Sequence, residues 1–224
     1  MSRLHRALVL AIAILQLQVL FVTDIVADVC PSYYRHPGVC LDPGHGGPDA
    51  CKWYPPCTNG DGAGCYGPSG LTEAWVNHEI VPLARDLLLE GDIYIRCTKE
   101  AITDYLGPQR RCDIANSDPD VDVFISVHHE GDPDVYDTRT FYMDSPSIPN
   151  PETEKWRYKL ALGLAGGIDE QFGYGMQVKP DTESGPGYLY VLHHTWMPAA
   201  LTEASCIGHE SEEYLMAYDP DHRQ

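Results

Sequence analysis

Basic residues are scarce in this chain: 15 Lys and Arg stand against 33 Asp and Glu, a formal net charge of −18. Nucleic acids and anionic membranes draw proteins in through positive surface, so neither is an expected partner. No Cys-x-x-Cys pair occurs among the eight cysteines, which removes the usual spacing of a thiolate zinc site. There is also no clean apolar run of the roughly 18 to 20 residues that a bilayer-spanning helix needs. The nearest approach, residues 7–22, is interrupted by Gln16 and Gln18. With Arg3 and Arg6 ahead of it, that run reads as a secretory signal over residues 1–27, with cleavage expected near Ala27. No stable membrane insertion is expected afterwards, and the mature protein is expected in a periplasm or outside the cell. Internal repeats and an appended binding module are absent too.

What is present suits one folded unit. Hydrophobic residues make up 43% of the 224 and charged residues 21%, enough for a core and too short for two comfortable domains. Residues 28–224 are therefore expected to be a single catalytic domain. Strand-like runs fall at 38–41, 92–98, 121–128, 138–143, 188–192 and 199–203. Helical patterns fall between them, at 72–90, 109–117, 151–172 and 211–217. This alternation predicts an α/β fold, a twisted and mostly parallel sheet of about six strands with helices on both faces. Residues 48–69 are dense in Gly, Pro, Asp and Cys and read as a long loop. Cys30, Cys40, Cys51, Cys57, Cys65, Cys97, Cys112 and Cys206 all follow the signal, and their even number suggests disulfides. Eight cysteines allow 105 pairings, so the connectivity stays open.

Four segments carry polar groups where ligands gather. The run Val39-Cys-Leu-Asp-Pro-Gly-His45-Gly-Gly is a short strand ending in a glycine turn with a histidine at its tip. Gly70-Leu-Thr-Glu73 puts a carboxylate in the first turn of the longest helix, where the macrodipole favours it. Val121 to His128 is a buried-strand pattern ending in histidine, and Pro198-Ala-Ala-Leu-Thr-Glu203 is one ending in glutamate. Ligands of open α/β sheets collect at the carboxyl ends of strands, so His45, His128 and Glu203 are expected on one rim. Two histidines and a carboxylate match a catalytic zinc set, with a fourth group left over as a base. Alone, each has a plainer reading: half-buried polar histidines, a helix N-terminal glutamate, a salt-bridge partner.

Leu41-Asp-Pro-Gly-His-Gly-Gly, Gly70-x-x-Glu73-x-x-x-Asn77, Arg111-x-x-x-Ala-Asn116, Phe124-Ile-Ser-Val-His128 and Met197-Pro-Ala-Ala-Leu-Thr-Glu203 resemble, in this order, the zinc-dependent N-acetylmuramoyl-L-alanine amidases of bacterial cell walls. The resemblance implies one zinc ion and hydrolysis of the amide joining muramic acid to L-alanine in peptidoglycan. It implies His45, Glu73 and His128 as ligands and Glu203 as the catalytic carboxylate. Arg111 and Asn77 fall on recurrent family positions and are expected in supporting roles. Asn77 lies one helical turn beyond Glu73, a spacing that lets it orient that ligand. The chain departs from the family pattern in His129-Glu130-Gly131 and in its cysteine-rich loop. His129 is expected to pack on the face opposite His128. His193 and His194 are candidates for the cleft wall or a surface loop, and Trp53, Tyr54 and Tyr66 for stacking on substrate or on each other. Competing readings are a zinc peptidase or other amidohydrolase, and a catalytically silent wall-binding or activator protein. An unidentified activator is kept as a partner.

Overall fold

The computed structural model describes residues 36–47, 50–53, 62–134, 138–144 and 151–219. Along the chain these form β1 (Gly38–Pro43), α1 (Glu73–Glu90), β2 (Tyr94–Cys97), α2 (Pro108–Asn116), β3 (Val123–Glu130) and β4 (Arg139–Tyr142). α3 (Pro151–Phe172), β5 (Gln177–Pro180), α4 (Tyr190–His194), β6 (Ala199–Cys206) and α5 (Glu210–Tyr218) follow. One six-stranded sheet has the order β2-β1-β3-β6-β4-β5. β2, β1, β3 and β6 run parallel, while β4 is antiparallel to β6 and β5 parallel to β4. The expected single α/β unit with a mostly parallel sheet is what forms.

Strands covered on both faces read as near-continuous apolar runs, and Val123-Phe-Ile-Ser-Val is one. Alternation sends Val39, Leu41, Val123, Ile125 and Val127 to one face, against Val81 and Leu88 of α1 and Trp156, Leu160 and Leu164 of α3. Cys40, Phe124 and Leu201 take the other, against Cys112 and Ala115 of α2 and Val191 and Leu192 of α4. Burying each large apolar side chain contributes about 1.5–3 kcal/mol. Two filled faces hold the central strands rigid, and their ends position the site.

Two expectations need correction. Residues 188–192 were expected as a strand, yet Tyr190–His194 is a short helix and the sixth strand is β5. Tyr-Leu-Tyr-Val-Leu has strand propensity, but the buried Arg157 guanidinium donates to the carbonyls of Leu192 and Thr195. Those bonds satisfy carbonyls that a short helix leaves open, so tertiary context overrides propensity. Gln177-Val-Lys-Pro, half-buried at the sheet edge, offers almost no hydrophobic alternation to read. The second correction concerns cysteine. Cys40, Cys65, Cys97, Cys112 and Cys206 are free thiols, so a framework joining all eight cysteines does not form, while Cys51 is disulfide-bonded. Three of the five are buried and pack as small apolar groups rather than as staples. The signal segment, Cys30, Cys57 and Tyr54 lie outside the described residues. Among the described residues no helix is long and apolar enough to cross a membrane.

Candidate metal centre

β1, β3 and β6 are adjacent and parallel, so their carboxyl ends form one rim. Register aligns Pro43 with Val127 and His128 with Glu203. Cα partners on neighbouring strands point their side chains to the same face, about 5 Å apart, so His128 and Glu203 are neighbours. Past β1 the chain turns through His45, whose φ of 58° is left-handed, followed by Gly46 at 120° and Gly47 at 147°. Three N–H groups of this turn are taken up: Gly44 N–H donates to Val127 O (2.9 Å), Gly46 N–H to Gly62 O (2.6 Å) and Gly47 N–H to Ile102 O (2.8 Å). The Lys99 ammonium donates to the His45 carbonyl.

α1 supplies the third group. Thr72, in extended conformation, precedes its first residue, and its hydroxyl donates to Cys51 O, so Glu73 itself provides the first-turn negative charge. Its side chain is 2% exposed and lies between two imidazoles, Oε1 2.9 Å from His128 Nδ1 and Oε2 3.2 Å from His45 Nε2. The two rings meet edge to face, with centroids 5.0 Å apart. One ligand atom from each of His45, Glu73 and His128 falls within 4.8 Å of the other two. Cys65 N–H (2.9 Å) and His129 N–H (3.2 Å) also donate to the carboxylate. A Cβ on Gly64 would come within 2.5 Å of Glu73 Oε2 and 2.6 Å of the His45 ring, and one on Gly44 within 2.3 Å of the His128 ring. A side chain at either glycine would therefore collide with the three clustered groups.

The electrostatics suit a cation. Burial alone would raise the Glu73 pKa, but His45 and His128 outweigh it and hold the carboxyl well below its usual range. Burial pushes the His128 pKa down against the pull of Glu73, favouring the neutral imidazole that a metal requires. Glu203 moves the other way: burial first, then the charges of Glu73 and Glu130, raise it well above the ordinary carboxylate range, with Arg139 opposing. Its Oε2 is buried and has no hydrogen-bond partner among the described residues. An orphaned carboxylate oxygen beside a His-Glu-His cluster fits a site built for a divalent cation and a proton-carrying group.

Asn77 is fully buried. Its amide donates to Gly44 O (3.1 Å) and Glu73 Oε1 (3.4 Å), and its Oδ1 meets His129 Nδ1 at 2.8 Å. His129 therefore lies on the face opposite His128, against α1. Arg111 reaches none of the three clustered side chains and pairs with fully buried Asp42 at 2.7 Å. Thr98 (2.6 Å) and Ser126 (2.7 Å) donate to the same carboxylate. Sequence reasoning passed over Asp42 and Lys99. The available signal was a charge inside an apolar strand, which seldom survives burial unpaired. Burial pushes the Lys99 amine down to about 8, against the attraction of Asp42.

The remaining aromatic and histidine candidates separate. β5 runs opposite to β6, so Asp181, just beyond its end, lies at the far edge of the sheet. His193 bonds to Asp181 there at 2.6 Å, away from the cluster, which removes it from the cleft. His194 is exposed and Tyr190 stacks on it, with centroids 3.9 Å apart. Trp53 packs near Tyr218 at 6.1 Å, with Lys52 over it and over Trp75. Tyr66 is exposed and lines an open groove of about 420 Å³ with Gly67, Pro68, Ser69, Gly70, Gly131, Pro133 and Gly208. Gly70 leads into Glu73 and Gly131 follows His128 by three residues, so the groove adjoins the cluster.

The fold has close counterparts. An N-acetylmuramoyl-L-alanine amidase of Nostoc punctiforme superposes with a TM-score of 0.63 at 22% identity, covering 84% of this chain and 89% of that one. One from Clostridium difficile 630 gives 0.63 at 21%, with the same coverage. The Mycobacterium smegmatis enzyme Ami1 gives 0.61 at 18%, over 86% and 92%. An uncharacterised cell wall amidase of Bacillus anthracis is 29% identical over 185 residues, 78% of this chain. The chain spans only 30% of that relative's length. Residues 39–224, nearly everything after the region read as a signal, match the family model described as N-acetylmuramoyl-L-alanine amidase. With the five motifs in order and a sheet of the same build, the chain belongs to the N-acetylmuramoyl-L-alanine amidase family.

Proposed function

We propose that this chain is a zinc-dependent peptidoglycan amidase, hydrolysing the bond between the lactyl carbonyl of N-acetylmuramic acid and the amine of L-alanine. His45, Glu73 and His128 would hold the metal, a ligand set whose number and type suit zinc with a position left for substrate. Once bound, zinc supplies Lewis acidity, polarising a carbonyl and lowering the pKa of water to about 7. The observation that carries the reading is the Glu203 Oε2 atom, buried, without a hydrogen-bond partner among the described residues and next to His128. Glu203 accepts a proton from the attacking water as the oxygen adds to the carbonyl carbon. It returns the proton to the amide nitrogen as the C–N bond breaks, leaving a lactyl carboxylate and a free alanine amine. Asn77 and the N–H groups of Cys65 and His129 hold the Glu73 carboxylate in its ligand orientation. Arg111 supports the site indirectly, through Asp42 three residues before His45. Peptidoglycan is the proposed substrate, and an exported location follows from where that polymer lies.

Glu203→Gln tests the reading. Zinc content, measured by mass spectrometry of the metal, is expected to stay near one per chain. Turnover on purified peptidoglycan is expected to fall by about 10² to 10⁴. Wild-type products should be intact stem peptides with a new alanine amine and undamaged glycan. Cuts within the stem peptide would establish a peptidase instead, and wall binding without any cleavage would establish a silent binding protein.

A further inference from the structure

We infer that Lys99 is a positioning residue for the metal centre, fixing the His45 imidazole by holding the backbone carbonyl of that residue. The inference rests on the reading of His45 as a ligand and names a group outside that ligand set. Left-handed backbone is unfavourable for any residue with a Cβ, so His45 needs outside contacts to stay there. Three bonds that pin its turn are backbone to backbone, through Gly44, Gly46 and Gly47, and Asn77 adds one to the Gly44 carbonyl. Among the described residues, the bond to the backbone carbonyl of His45 itself comes from a side chain, the ammonium of Lys99. Rotating the 45–46 peptide would disturb the left-handed turn that presents His45 to Glu73, and the Lys99 bond to its carbonyl opposes that rotation together with the Gly46 N–H bond to Gly62 O.

Lys99 is itself held from the sheet. Thr98, one residue earlier, donates its N–H to Leu41 O at 3.0 Å and its hydroxyl to Asp42 at 2.6 Å. The ammonium, on a residue 7% exposed, therefore starts from a fixed point beside β1. Gly46 completes the fit: a Cβ there would come within 3.2 Å of Lys99 Nζ and 2.9 Å of Ile102 O. A buried amine with no carboxylate in hydrogen-bond contact among the described residues, spent on one carbonyl, is an expensive way to fill space. Holding a metal ligand in a strained conformation accounts for it.

Zinc dissociation constants from chelator competition on the full chain decide the matter, with melting of the metal-free proteins as the control for folding. Lys99→Met, unbranched, one atom shorter and without the charge, is expected to weaken zinc by about 10- to 100-fold, the range typical of groups that orient a ligand. Lys99→Arg keeps the donor and is expected to recover most of that loss. In a His45→Ala background, Lys99→Met should change residual zinc binding less than about twofold, since its effect acts through His45. Unchanged affinity in Lys99→Met, or an equal loss with and without the His45 imidazole, would overturn the inference. If Lys99→Met does not fold without metal, Lys99→Gln takes its place in the comparison. Failure of both to fold makes Lys99 a general structural residue and overturns it too. Wild-type protein that binds no zinc would instead overturn the metal reading, a result visible before any variant is made.

Discussion

Glu203 carries opposite demands at the level of a single side chain. A carboxyl kept out of water and close to Glu73 and Glu130 holds its proton more tightly folded than unfolded. The folded state therefore binds more protons than the unfolded one once pH rises past the ordinary glutamate value of about 4.3, and stability falls as pH climbs towards the raised folded value. Glu73 contributes in the other sense: its lowered pKa adds stability above the unfolded value, lost as pH falls through the folded one. A neutral amide at position 203 removes the first effect and leaves the second. Metal-free Glu203→Gln should accordingly melt at a higher temperature than wild type at pH 7, and the two curves should converge towards pH 4. Thermal melts across that range check this, and a variant melting no higher than wild type at pH 7 would mean the buried carboxylate is not strained. The residue proposed to move the proton is then one that the empty fold would be more stable without.

At the level of elements, α5 clamps the segment that leads into α1. Glu213, 3% exposed, accepts from Ser69 N–H at 3.0 Å, Ser69 hydroxyl at 2.7 Å and Leu71 N–H at 3.2 Å. A Cβ on Gly67 would come within 2.3 Å of this carboxylate, so the loop is wrapped around it. Glu213→Ala strands the buried Leu71 N–H and releases Ser69 next to the groove, and is expected to cost about 1–3 kcal/mol. Urea unfolding reads this as a lower midpoint at unchanged slope, and a loss below half a kcal/mol would make the clamp incidental. Nothing in the sequence announced it, because Glu213 and Ser69 lie far apart and a charged residue on an amphipathic helix reads as solvated. Elements with a strong period were legible: β1, β3 and β6 from their apolar runs, α1 from its spacing and the stop at Gly91. α4 and β5 were not, since one depends on Arg157 reaching from α3 and the other has only edge pairing to hold it.

For the whole molecule, the candidate metal site was legible because its four side chains sit at strand ends and a helix start, places that local pattern marks. The layer beneath was legible only in part. Spacing of one helical turn put Asn77 on Glu73, whereas Asp42, Lys99 and the pairing of Arg111 with Asp42 depend on three-dimensional contacts that no spacing encodes, and cysteine count alone did not reveal which thiols stay free. This organisation ties metal binding to global stability. The proposed ligands come from the turn after β1, from α1 and from β3, so unfolding any of these would dismantle the site, and a cation held between them would stabilise only the folded chain. It also offsets negative charge in a protein whose net charge is −18. With free zinc at about 100 times its dissociation constant, linkage gives about 2.7 kcal/mol. For a domain of this size each kcal/mol shifts Tm by about 2–4 °C, so stripping the metal with a chelator should lower Tm by roughly 5–11 °C. Returning zinc should restore it, while magnesium, which prefers oxygen ligands in octahedral array, should not. A Tm indifferent to the chelator would mean that the cluster neither holds zinc nor couples these three elements.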